Sequence, residues 1–454
     1  MSSEIRPLLR LALPVVLAEI GWMSMGLVDT IMVGPLGPAA IAATGMGSGV
    51  FTAIAIFGMG LMLGLDALVS RAFGAERLDE CVRWLHHGVT LAVIVAPLVM
   101  LATWLAFLTM DRWGLHEEIR GLAGPYLQAI AFGALPLLLY AAFRRYLQGL
   151  HVVRPIMFAL VSANIVNAAA NWGLIYGNLG LPALGVEGSA WATSLARLYM
   201  ASFLFVAIRR EHRRRGDAHP RVPYAISWLR MWQLLALGAP AASQITLEVG
   251  VFALVTALAA RLDPISSASH QIALNIASVV FMVPLGLASA SAVRVGHAVG
   301  AGDARRAIRA GWTALGAGAA VMIAIGVVLF AFPRPLLRAF TDDARVLEIG
   351  TGLLFIAAAF QLFDGTQAVA TGILRGLGDT RTPMIGNMIG HWALGLPIGY
   401  ALCFRFAVGV NGLWIGLSIG LIFVSIVLVM AWIRRTRHLS LPGGAHAPAV
   451  PDLL

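Results

Sequence analysis

The run RREHRRRGDAHPR, Arg209–Arg221, lies near the middle of a 454-residue chain, and what precedes it is repeated after it. Around Gly74 the first half reads RAFGAERLDECVR; around Gly300 the second reads HAVGAGDARRAIR. Pro14 and Pro38 match Pro240 and Pro264 at the same offset. Leu147-Gln148-Gly149-Leu150 matches Leu374-Arg375-Gly376-Leu377, and Gly185-Val186-Glu187-Gly188 matches Gly409-Val410-Asn411-Gly412. An offset that drifts by only a few residues over such a length is the mark of an internal repeat. The chain therefore reads as two similar halves, 1–208 and 229–434, joined by a basic linker at 209–228 and followed by a Pro/Gly/Ala-rich tail at 435–454 that is expected to be disordered.

Composition sets the class. The chain is 59% hydrophobic and 12% charged, whereas a soluble protein carries roughly 25% charged residues. This is the composition of a polytopic, all-α membrane protein. The first apolar segment begins near Leu8 and runs too long for a cleavable signal sequence. Cys81 and Cys403, expected in a loop and a span, give neither a disulfide framework nor a metal-ligand spacing. The net charge of +10 does not indicate nucleic acid. All basic residues are Arg, and most lie in short loops between apolar segments, where they set topology.

Segments of about 20 apolar residues cross a bilayer. Twelve are expected: 8–33, 42–70, 84–109, 121–148, 156–177, 186–208, 229–260, 266–293, 310–332, 347–374, 383–404 and 410–433. Arginines follow every even-numbered segment, as at Arg71, Arg77 and Arg83 after the second and Arg434, Arg435 and Arg437 after the twelfth. By the positive-inside rule both termini and all even loops are cytoplasmic. With six segments each, the halves enter the membrane in the same orientation. That predicts a pseudo-two-fold axis along the membrane normal, a plan common in transporters.

Carboxylates inside spans are costly and are functional candidates by default. Five occur: Glu19, Asp29, Asp66, Glu248 and Asp364. In the tenth span Gln361, Asp364, Gln367 and Thr371 fall on one side of a helix. Gln244 and Glu248 stand one turn apart in the seventh, and Gln271, Asn275 and Ser278 share a face of the eighth. Convergence of these faces would make a wet acidic pocket for a hard cation, whose natural ligands are carboxylate, amide and hydroxyl oxygens, or for a proton. In the first half, Asn164, Asn167 and Asn171 line one face, with Asp29 and Thr193 able to join them. Such asparagines serve either as a site or as interhelical packing glue. Asp66 is expected to pair with Arg71 one turn on, Glu19 to pair with an Arg or line an entrance, and His270 and His391 to be packed imidazoles. Nucleotide-binding GxxxxGK[ST], HExxH and GxSxG motifs are absent, so no enzyme, cofactor or direct ATP coupling is expected, and energy would come from an ion gradient.

Several stretches resemble the multidrug and toxic compound extrusion (MATE) transporters, and their NorM-like branch most. They are GLVDTIMVG (Gly26–Gly34), LVSRAFGA ending at Ala75, NAAANWGLIYG (Asn167–Gly177), GVEGSAWAT (Gly185–Thr193), Ser269–Asp303 and Leu362–Met384. The resemblance implies twelve helices in two six-helix lobes around a V-shaped cavity. It implies alternating access and export of organic cations in exchange for Na+ or H+, by a single-chain protein of the bacterial inner membrane whose partners are small molecules and lipid. Family positions in the second lobe match Glu248 and Asp364, with Gln361, Gln367, Gln271 and Asn275 nearby. Those in the first lobe match Asp29, Asn167, Asn171 and Thr193. Some members carry Asp where Asn171 stands, and a hydroxylated aromatic where Phe360 stands. The competing reading is a lipid-linked oligosaccharide flippase of the same superfamily. Its pyrophosphate headgroup would call for several cavity arginines, whereas only Arg197 lies well inside a span.

Overall fold

In the computed structural model, which describes residues 2–216 and 222–439, every regular element is helical and no strand occurs among the described residues. We number the spans α1–α12. The first six are α1 (Ser2–Val33), α2 (Pro38–Gly74), α3 (Leu78–Thr109), α4 (Glu117–Ala131 with Ala134–Gly149), α5 (Arg154–Tyr176) and α6 (Val186–Arg215). The second six are α7 (Trp228–Ala259), α8 (Pro264–Gly300), α9 (Ala304–Ala331), α10 (Ala344–Gly376), α11 (381–405) and α12 (Val410–Leu439). Ten of these are single helices long and apolar enough to span, and α4 is a pair bent by 47°. α11 completes the twelve as a helix that alternates α and π turns, with π segments at Met388–Gly395 and Ala401–Arg405. Large apolar side chains face outward along many spans, for example Leu98, Ile165 and Phe330, at 60%, 69% and 63% exposure. Apolar surface on this scale belongs against lipid.

The repeat is written in the backbone. α2 ends where Glu76 takes φ 60°, and α8 ends at Gly302 with φ 70°. At both ends a backbone N–H one residue on reaches back to close the turn, Arg77 to Ala72 O and Asp303 to Ala298 O, each at 2.9 Å. α4 and α10 end alike, with His151 at φ 62° and Gly378 at φ 71°. There the closing bonds are Val152 to Leu147 O and Asp379 to Leu374 O, at 2.8 and 2.9 Å. These are Schellman closures, which need one left-handed residue each. The first half uses Glu and His where the second uses Gly.

Three expectations need correction. The basic linker is not a loop from 209: α6 continues through Arg215, because the run Arg209–Arg215 is compatible with helix and projects from the helix C-terminal end, where cations are favourable. Just before α7 the Ser227 N–H donates to His87 Nε2 at 2.9 Å, and in the first turn of α7 Arg230 grips Glu80 at 2.5 and 3.0 Å. The start of the expected tail is helical too, since α12 runs to Leu439; positions 440–454 and 217–221 lie outside the described residues. Cys81 sits inside α3, buried, with its S–H directed at Val69 O, rather than in a loop. Cys403 is likewise buried and free.

Contacts divide the chain into two compact units. One is Leu17–Ala242; the other joins Met1–Val16 to the chain from Ser243 onward. The boundaries therefore fall inside α1 and α7, not at the linker, just after the matching prolines Pro14 and Pro240. The amino-terminal unit buries Tyr126, Tyr140 and Tyr146 in its core, the carboxy-terminal unit Trp414 and Leu413. In the latter, α8 and α10 pack so closely that a Cβ on Gly372 would collide with Ala288 O. That contact fixes the helix that carries Asp364.

Candidate functional site

Each unit brings together some of the candidate polar residues. In the carboxy-terminal unit, α7 and α10 face each other through Glu248. Gln244, one turn before it on α7, donates its amide N–H to Glu248 Oε2 at 2.6 Å. Gln367, from α10, donates to Oε1 at 2.8 Å. Both carboxyl oxygens thus act as acceptors. Asp364 lies one turn before Gln367 on the same side of α10 and is 8% exposed. It makes no hydrogen bond to a described residue, so Glu248 is held and Asp364 is open.

Around this pair several buried polar atoms lack partners among the described residues. They are both amide atoms of Gln361, Gln367 Oε1, Thr371 Oγ1 and Thr246 Oγ1. Buried oxygens of this kind normally find a partner. Here most of them follow the stripe that also carries Asp364, and oxygen is the ligand a hard cation takes. Trp392 of α11 donates its indole N–H to Leu247 O at 3.0 Å, which holds the backbone beside Glu248. Gln271 and Asn275 of α8 do not join: both are exposed and neither shares a hydrogen bond with this cluster. Spacing reveals their common face, but not what that face meets. Thr246 carries no such signal, because it is off the Gln244–Glu248 register.

In the amino-terminal unit the four expected residues do converge. Asp29 Oδ1 accepts from Asn171 Nδ2, and Oδ2 from Thr193 Oγ1, each at 2.7 Å. Asn171 also donates to Asn167 Oδ1 at 3.2 Å, and Asn167 to Thr193 at 3.5 Å. All four are buried. Asn164 stands apart and donates to Gly21 O at 2.9 Å, as packing glue between α5 and α1.

The other two acids in spans are structural. Glu19 forms a buried ion pair with Arg144 of α4. Asp66 pairs with Arg145 at 3.4 Å, not with Arg71 as expected. A residue one turn away is close in sequence, but Arg145 from α4 reaches the fully buried Asp66 carboxylate. The two histidines differ. Trp414 Nε1 donates to His270 Nδ1 at 3.0 Å, leaving Nε2–H to meet Thr256 Oγ1 at 2.9 Å, which in turn donates to Phe252 O. His391, on the π turn of α11, is fully buried, and neither ring nitrogen bonds to a described residue.

One family model, MatE, matches the chain twice, over residues 14–172 and 240–401, so the two halves are copies of one unit. A probable multidrug resistance protein NorM from Mesorhizobium japonicum is 38% identical over 443 residues, covering 96% of this chain and 95% of that protein. The multidrug resistance protein NorM of Burkholderia vietnamiensis is 35% identical over 432 residues, covering 93% and 92%. Among solved structures, a eukaryotic MATE transporter aligns at TM-score 0.86 and 20% identity, covering 96% of this chain and 98% of that one. An outward-facing multidrug resistance MATE transporter aligns at 0.84 and 21%, covering 95% and 96%. At that identity the solved structures speak for the fold alone.

Proposed function

The chain belongs to the MatE family, and from that premise we propose that it is a secondary-active multidrug efflux antiporter of a bacterial inner membrane, with both termini cytoplasmic. It exports organic cations in exchange for Na+ or H+. The observation that carries this reading is the unequal pair of acids, Glu248 clamped by two amides and Asp364, one turn from Gln367, with no hydrogen-bond partner among the described residues.

Two neighbouring carboxyls away from bulk water attract a positive charge, and one such charge at a time relieves their repulsion. A coupling ion arriving at Asp364 meets the unpartnered oxygens of Gln361, Gln367 and Thr371 on the same side of α10. An organic cation competes for the same charge, and aromatic rings favour a cation lying on them; Trp392 is the aromatic tied to the backbone next to Glu248. Exchange follows if ion and substrate hold the pair in turn. Transport against a gradient further requires each to bind the two conformations unequally, since a ligand equally tight in both shifts nothing.

Ethidium efflux from membrane vesicles, driven by an imposed Na+ gradient or pH gradient separately, tests the reading. One of the two is expected to drive efflux. A Na+-driven result assigns Asp364 and its oxygen stripe to sodium; a pH-driven result makes the acids proton carriers. No efflux of any organic cation under either gradient would overturn the proposal.

A further inference from the structure

The amino-terminal unit holds one buried cation to which the transport reading gives no task. Arg197 lies on α6 one turn beyond Thr193, and only 6% of it is exposed. Its guanidinium stacks over the Phe51 ring of α2, 4.5 Å from the centroid. Nε and Nη1 have no hydrogen-bond partner among the described residues. The seat is shaped for it. At the bend of α4, a Cβ on Gly133 would stand 2.8 Å from Arg197 Nη1 and 2.8 Å from Ser194 Oγ. Three elements thus leave room for a guanidinium, yet two of its donors are not engaged.

A buried guanidinium is costly unless a counter-charge lies near. Asp29 supplies it through the same face of α6: Thr193, one turn before Arg197, donates to Asp29 Oδ2 at 2.7 Å, so the carboxylate and the guanidinium lie on one side of that helix. By its ligands alone the Asp29 cluster would suit a hard cation. It offers a carboxylate, a hydroxyl and two amide oxygens, and Asn171 Oδ1 is buried without a partner. What it lacks is a vacancy in charge. A second cation brought beside a fixed guanidinium in a poorly screened interior is repelled.

We propose that Arg197 is a resident cation that fills the charge requirement of the Asp29, Asn167, Asn171 and Thr193 cluster and closes it to the coupling ion. Loading is then confined to the Glu248 and Asp364 pair. The consequence for stoichiometry rests on the transport reading above, but the arrangement itself is tested by binding and not by efflux, so failure of one is told apart from failure of the other.

Binding of radioactive sodium to the purified full-length protein, at saturating Na+ and alkaline pH, counts the sites. Arg197→Met is expected to gain one Na+ per chain over the wild type, and adding Asp29→Asn is expected to remove that gain. Arg197→Lys keeps the charge and is expected to gain none. The proposal is overturned if Arg197→Met gains no ion. It is equally overturned if Asp29→Asn alone lowers the wild-type count by one, a comparison that stands even should the Arg197→Met protein fail to fold.

Discussion

The side-chain amide of Gln367 donates to Glu248 Oε1 at 2.8 Å, so the carboxylate of α7 is fixed by the same helix that carries Asp364. Neither acid is therefore a copy of the other. Glu248 is part of the packing of α7 against α10, whereas Asp364 makes no hydrogen bond to a described residue.

That difference separates two substitutions that family membership alone would treat alike. Asp364→Asn is expected to abolish gradient-driven ethidium efflux while the melting temperature in detergent stays at or slightly above the wild-type value, since a like-charge repulsion is removed and no bond is broken. Glu248→Leu is expected to abolish efflux and also to lower the melting temperature, because two buried amide donors lose their acceptor. Each buried donor left without an acceptor costs about 1–3 kcal/mol. Intrinsic tryptophan fluorescence on heating gives both values. Equal melting temperatures for the two variants would contradict the division of roles.

Glu19 and Arg144 form a buried pair whose side chains are 12% and 8% exposed. Removing one partner of such a pair leaves an uncompensated charge and costs about 3–5 kcal/mol, whereas replacing both by apolar residues is often neutral. Arg144→Met is expected to destabilise the protein by an amount in that range, and Glu19→Met combined with Arg144→Met to recover most of it. A double-mutant cycle on thermal stability reads the coupling. Additive single effects would mean that the pair is not energetically linked.

Much of this is legible in the sequence, for definable reasons. The repeat is visible because loops closing equivalent helices need the same backbone, as Glu76 with Gly302 and His151 with Gly378 show. Acids in apolar spans stand out because burying them is costly, and Asp29, Glu248 and Asp364 all lie in polar clusters. Helical spacing, by contrast, names a face without naming what it meets. Hence Gln271 and Asn275 share a side of α8 yet stand outside the Glu248 cluster. Hence also Asp66 meets Arg145 rather than Arg71, which is nearer in sequence. The seat of Arg197 is not readable from spacing, since it is made by Phe51 and by the missing side chain of Gly133 on other helices. Nor is the π register of α11, which accompanies a crossing where Gly399 and Gly416 leave no room for a Cβ between them.

Outside the spans, Asp263 caps α8. Its Oδ1 accepts from the backbone N–H of Ile265 and Ser266 at 3.0 Å each. The Ser266 side chain first, then these N–H groups, hold the carboxyl below the usual aspartate range. A group with a depressed folded value stabilises the fold above its unfolded value and loses that contribution as pH falls through the folded one. Asp263→Ala is therefore expected to melt a few degrees lower than wild type at neutral pH, with the gap narrowing in acid below the ordinary aspartate range. A pH-independent gap would assign the effect to the cap geometry alone. Asp263→Asn, which keeps the capping acceptor, should show the smaller loss.

The two histidines make opposite predictions from their surroundings. His270 is satisfied at both nitrogens, and truncating it strands the Trp414 indole N–H and leaves Thr256 Oγ1 without its partner. His270→Leu is expected to lower the melting temperature, since each orphaned buried polar group costs about 1–3 kcal/mol. His391 has no bonded nitrogen among the described residues, fully buried between Phe252 of α7, at 6.4 Å between centroids, and the Gly420 turn of α12. An imidazole held this way already bears that cost, so His391→Leu is expected to leave stability unchanged or to raise it. A buried polar group kept where an apolar one would be more stable marks a site that serves something other than packing. The efflux rate of His391→Leu then becomes the deciding quantity. A variant as stable as wild type but several-fold slower would place the π turn of α11 in the transport cycle. A variant that melts lower would mean that His391 has partners, ordered water among them, and is a packed imidazole after all.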